Sequence, residues 1–138
     1  MLHERFPDGL VVATPPATHA EISQVAISLG VPVLIEKPIT LDLAELDELS
    51  AAAISEKVLV QVDHIDLFNP AWRAIRREIP NLGEVRRMRG IWQGVGPYRP
   101  DTKGRWDWGV HALAVALDVA GTGARLSRVQ PLMVESPP

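Results

Sequence analysis

The spacing of apolar residues changes several times along this chain, and each change marks an element. Leu10-Val11-Val12-Ala13 is an unbroken apolar run of strand length, bounded by Asp8-Gly9 before it and Thr14-Pro15-Pro16 after it. From Ile22 the spacing becomes helical: Ile22, Val25, Ala26 and Leu29 fall at i, i+3, i+4 and i+7, a stripe that predicts a helix lying on a sheet. Thr18 and Glu21 predict a capping box at its start, and Gly30 predicts its end. Val31, Val33, Leu34 and Ile35 then read as a short strand buried on both faces, as in a parallel sheet.

A second helical pattern runs from Asp42 to Ser55, with Thr40 as the expected cap and Leu43, Leu46, Leu49 and Ala53 along its inner side. Val58-Leu59-Val60-Gln61-Val62 predicts a third strand. Strand, helix, strand, helix, strand with short connections is the order of parallel crossovers. Residues 1–63 are therefore expected to form an α/β unit, the carboxyl-terminal half of a Rossmann-like doubly wound parallel sheet.

Beyond it the pattern is weaker. Asn69-Pro70 opens a predicted helix that buries Trp72, Ile75 and Ile79 and turns Arg73, Arg76 and Arg77 to solvent or a subunit contact. Pro80 to Gly83 predicts a turn, Glu84 to Gln93 a basic strand, and Gly94 to Gly104 a loop. Asp107 to Ala120 is apolar nearly all round and predicts a buried helix, with Arg125 to Val134 as a closing strand. Met1 to Phe6 reads as the end of a helix, and Glu135 to Pro138 as an unstructured tail. Residues 64–138 are expected to begin an α+β substrate domain.

Composition narrows the function classes. A net charge of −3 offers no basic field for nucleic acid or an anionic membrane. With no cysteine there is neither a disulfide nor a thiolate metal site, and no metal is expected. No apolar run reaches bilayer length, so the expectation is a soluble, cytoplasmic protein.

Two clusters carry candidate chemistry. Glu36-Lys37-Pro38 follows a buried strand directly, and open α/β sheets bind ligands just beyond the carboxyl ends of their strands. The competing reading is an exposed Glu-Lys pair closing a strand. Asp107 and His111, four residues apart, fall on one face at the start of a helix. A histidine beside an acid suits proton transfer, while a core histidine with satisfied nitrogens is the plainer alternative.

In order along the chain, four segments resemble the Gfo/Idh/MocA oxidoreductases, the glucose–fructose oxidoreductase and inositol dehydrogenase family. They are Val11-Val12-Ala13-Thr14-Pro15-Pro16-Ala17-Thr18-His19, Glu36-Lys37-Pro38, His64-Ile65-Asp66-Leu67-Phe68-Asn69-Pro70-Ala71 and Trp106-Asp107-Trp108-Gly109-Val110-His111. The resemblance implies NAD or NADP as cofactor and hydride transfer to or from a carbon bearing a sugar or cyclitol hydroxyl. It also implies a homo-oligomer. By the same resemblance His111 is the acid/base, Lys37 bonds the reacting oxygen, and Asp107 orients the sugar and His111. Glu36 and Pro38 lie at the nicotinamide ribose, and Thr14, Pro15, Pro16 and His19 form the cofactor loop. No glycine triplet of the G-x-G-x-x-G type occurs in the chain. The expectation is therefore the middle portion of a longer enzyme, the alternative being an inactive fragment or a non-enzymatic assembly module.

Overall fold

The computed structural model describes residues 7–92, 104–121, 123–125 and 127–128. Three short strands, β1 (Leu10–Val12), β2 (Val33–Glu36) and β3 (Val60–Asp63), pair in parallel in the order β1-β2-β3. Helix α1 (His19–Ser28) connects the first two and α2 (Leu43–Glu56) the last two. The expected β-α-β-α-β order is present, with β3 two residues later than its apolar run began. α1 and α2 pack against each other, so both crossovers lie on one side of the sheet.

Register explains which residues become core. Leu10, Val33 and Val60 stand side by side, as do Val12, Ile35 and Val62, and these rows point towards the helices. Val12, Val33 and Ile35 are buried there with Ala26, Ile27, Val31 and Leu49. The intervening row is Val11, Leu34 and Gln61, on the opposite face; Val11 is 66% exposed and Leu34 is only part-buried. Among the described residues β2 is thus covered on one face, not on both as its sequence predicts.

Helix details differ from expectation for local reasons. Chain leading into α1 is already a 3₁₀ turn over Pro16–Thr18, so Thr18 sits in helical geometry instead of at an extended cap. Its hydroxyl donates to Thr14 Oγ1 and Pro15 O, and the capping box with Glu21 does not form. α1 buries His19, Ser23, Ala26 and Ile27, leaving Val25 and Leu29 exposed. The predicted stripe is therefore rotated by about one residue, because His19 and Ser23 take inward positions. For α2 the cap is Asp42, whose carboxylate accepts from Ala44 N. Thr40 is buried just outside, bonded to the Glu45 carboxylate and accepting from Asp42 N. Leu43, expected inside, is exposed at the first helical position.

The remainder is helical and loosely packed. A single turn, α3 (Ile65–Phe68), precedes α4 (Pro70–Glu78), which Asn69 caps by accepting from Ala71 N. Ile75 is exposed and Trp72 half-buried, so the predicted buried stripe does not form. Arg73 lies over the Phe68 ring at 5.3 Å and Arg76 reaches Asp118 at 3.4 Å, so these two are not simply solvated. A 3₁₀ turn over Ile79–Leu82 ends at Gly83, and residues 84–92 form no strand. They carry Arg86, Arg87 and Arg89 and pair with neither edge of the sheet, β1 or β3. The long apolar helix is broken at Trp108 into α5 (Gly104–Asp107) and α6 (Gly109–Ala120). Only Val115 of α6 is buried; Leu113 and Leu117 are exposed. The expected amino-terminal helix end, the 94–104 loop up to residue 103, and the tail fall outside the described residues, as does most of the closing strand. Residues 125, 127 and 128 show no strand. No described helix is long and apolar enough to cross a membrane.

Candidate active site

The carboxyl ends of the three strands bring the chemistry-bearing residues together. Parallel pairing sets Val12 beside Ile35 and Ile35 beside Val62, and Glu36 beside Asp63. Thr14-Pro15-Pro16, Glu36-Lys37-Pro38 and Asp63-His64 therefore leave the sheet on one edge. That is the position at which open α/β sheets bind ligands.

His19 ties the first two of these loops. It is buried, with Nδ1 2.9 Å from Pro38 O and Nε2 2.7 Å from Thr14 O. Its ring spans the gap between the loops instead of lining an open surface, and the Lys37–Pro38 peptide it holds is cis. Glu36 is half-buried and its Oε2 accepts from the Lys37 backbone N–H. Thr14 and Pro15 are exposed at the rim, with Pro16 half-buried behind them.

Lys37 points across to the carboxyl end of α5. Its Nζ donates to Asp107 Oδ1 at 2.8 Å and to Asp107 O at 2.7 Å, with both side chains about four-fifths buried. A part-buried ion pair with a second hydrogen bond from the same ammonium is a well-defined geometry. The sequence places Asp107 and His111 on one helical face. The helix is interrupted between them at Trp108, and Asp107 pairs with Lys37.

His111 faces a different carboxylate. Its Nδ1 lies 3.5 Å from Asp66 Oδ2, a charge contact too long for a hydrogen bond. Asp66 is in turn held by Trp92, whose indole N–H donates to the same Oδ2 at 3.2 Å. A side chain at Gly90 would run into the Trp92 ring, so glycine there lets the indole reach Asp66. His64 is the other neighbour of His111. Burial holds its pKa below the ordinary value of 6.5, the proximity of His111 lowers it further, and Asp63 opposes both. Asp66, His64 and Trp92 were not among the residues singled out from the sequence. Asp66 carried a signal, an acid two residues past His64 at a strand's carboxyl end; Trp92 carried none.

Beside Asp66 opens a cavity of about 400 Å³ lined by Trp72, Trp92, Asn69, Met88 and Arg89, among others. Trp72 is anchored there by its N–H to Asp118 Oδ2 at 2.9 Å. Aromatic walls with a few convergent polar groups suit a small hydroxylated ring. Among the described residues no group of three or more His, Asp or Glu side chains could hold a metal ion.

Residues 1–64 match the Gfo/Idh/MocA oxidoreductase family, described by its NAD-binding Rossmann fold. Residues 1–64 belong to that family. Over 117 residues the chain is 31% identical to UDP-N-acetylglucosamine 3-dehydrogenase of Acidithiobacillus ferrooxidans, covering 83% of this chain and 36% of that protein. A crystal structure from Magnetospirillum magnetotacticum MS-1, described as an oxidoreductase, superposes with a TM-score of 0.70 at 41% identity over 82% of this chain and 37% of that one. An inositol dehydrogenase homologue from Azotobacter vinelandii, complexed with NADH and myo-inositol, superposes with a TM-score of 0.54 at 31% identity over 59% of this chain and 23% of that one. The chain thus spans little more than a third of the length of the first two of these proteins and under a quarter of the third.

Proposed function

We propose that this chain supplies the nicotinamide-facing and proton-transferring part of an NAD(P)-dependent oxidoreductase acting on a sugar or cyclitol hydroxyl. The observation that carries the reading is the Lys37–Asp107 pair, set at the carboxyl edge of a parallel sheet within reach of the loops that His19 clamps. The donor set fits one end of a dinucleotide. Glu36 and the Thr14 loop offer acceptors to ribose hydroxyls, while no glycine-rich turn for the pyrophosphate is present in the chain. When bound, the nicotinamide supplies the hydride acceptor or donor.

The residues of the chain handle the proton. Lys37 Nζ, fixed by Asp107, donates a hydrogen bond to the reacting oxygen and favours its alkoxide character. His111 takes the hydroxyl proton and returns it in the reverse direction. The substrate ring sits against Lys37 and His111, with residues 1–63 on the cofactor side and 64–138 on the substrate side. Relatives named for UDP-N-acetylglucosamine and for inositol support a polyhydroxylated ring as substrate class.

Titration of the purified chain with NADH and NADPH, alongside a cooperative melt, tests this. Saturable binding that Glu36→Gln weakens and Lys37→Ala retains, with turnover of a polyol panel lost in Lys37→Ala, is the expected result. A folded chain with no saturable binding at millimolar cofactor overturns it. The open sheet face around Val11 favours a second reading, a non-catalytic homo-oligomeric assembly module, which predicts a stable oligomer without cofactor affinity.

A further inference from the structure

We propose that Asp66 is the positioning residue for His111: it holds the imidazole as the Nδ1–H tautomer, so that Nε2 is the atom that accepts the substrate proton. This deepens the acid/base role given to His111 above and rests on it. His111 is 12% exposed and its Nδ1 is buried without a hydrogen bond, so what faces that nitrogen decides where the ring proton sits. From α3 it is faced by the Asp66 carboxylate at 3.5 Å. From the end of β3 it is neighboured by His64, and Asp107 at the end of α5 is committed to the Lys37 ammonium from the loop after β2. Asp66 is the carboxylate that the fold sets against Nδ1.

The tautomer follows from simple electrostatics. With the proton on Nδ1, an N–H dipole points at an anionic oxygen. With the proton on Nε2, the Nδ1 lone pair faces that oxygen, which is repulsive on the buried side of the imidazole. Trp92 keeps Oδ2 in place through its own N–H, so Asp66 does not swing away to relieve the contact. A 3.5 Å separation leaves room to close, and such contacts tighten when the ring gains its second proton and becomes cationic. Burial lowers the pKa of His64, which disfavours a rival cation beside His111.

Ring nitrogen chemical shifts of the ¹⁵N-labelled chain, recorded without cofactor at a pH where imidazoles are neutral, test the proposal. His111→Gln identifies the ring. The expected result is a protonated Nδ1 and an unprotonated Nε2 in the unsubstituted chain. Asp66→Asn, whose amide can donate to Nδ1, should reverse the pattern to Nε2–H. Asp66→Glu should restore it in part, and Asp107→Asn should leave it unchanged. An Nε2–H ring in the unsubstituted chain overturns the proposal without reference to any variant's folding, as does a tautomer indifferent to Asp66→Asn in a chain that still melts cooperatively. Because no cofactor is present, absence of NADH binding bears on the catalytic reading and leaves this result to stand or fall separately.

Discussion

Residues 10–63 and residues 64–121 both carry abundant apolar side chains, yet they pack very differently. Seven of the eight buried apolar residues among those described lie in the first region; Val115 is the eighth. In the first region each apolar run has a local reason to be inside: three strands pair, their register aligns Val12, Val33 and Ile35, and two helices close over that row. In the second region α6 is at least as apolar as the helices of the first, and α4 is much more polar; neither lies on the sheet, and Ile75, Leu113 and Leu117 stay exposed. Hydrophobic patterning names a face; it does not supply the surface that covers it.

Substitutions on either side can break this comparison. Ile35→Ala removes a fully buried side chain from the centre of β2 and should cost about 2–5 kcal/mol, read from the urea midpoint and slope. Val115→Ala removes two methyl-sized groups beside an existing cavity and should cost no more than about 1.5 kcal/mol. Equal costs would show that the two regions share one cooperative core.

Helix caps sharpen the contrast at smaller scale. Asp42 and Asn69 make the same side-chain bond, accepting from the backbone N–H two residues on at 2.7 Å and 2.9 Å. Alanine at either position should cost about 1 kcal/mol if both helices unfold with the whole. A full loss for Asp42→Ala with none for Asn69→Ala would place α4 outside the cooperative unit.

The smallest expected effect is on pH dependence, at the junction of the regions. His64 titrates below 6.5 in the folded chain, chiefly through burial and next through His111. Between that folded value and 6.5 the unfolded chain binds a proton that the folded chain does not. Stability is thus complete above 6.5 and declines as the pH falls towards the folded value. Urea midpoints measured from about pH 7.5 down to about pH 5.5 should show this decline, and His64→Gln should flatten its share of it.

The parallel β-α-β-α-β order was legible in the sequence because each element declares itself locally, by an apolar run, a helical period or a glycine stop. So was the placement of Lys37 just beyond a strand end, although Glu36, expected beside it, is the last residue of the strand. That residues 84–92 form no strand was not legible, because a strand depends on an edge elsewhere in the chain to pair with. Nor could spacing show that α1 turns His19 and Ser23 inward, since the groups that meet the His19 ring, Thr14 O and Pro38 O, come from two separate loops that only the fold brings together.

The sequence by itself determined the sheet, its connections and the residue types gathered at its carboxyl edge. Only the tertiary structure decided who partners whom there. Four-residue spacing joins Asp107 to His111, but the helix breaks at Trp108, Lys37 reaches 70 positions along the chain to claim Asp107, and His111 is left to Asp66. Spacing along a helix governs which side chains share a face, while ion pairing in a half-buried site goes to whichever opposite charge the folded backbone brings within a few ångströms.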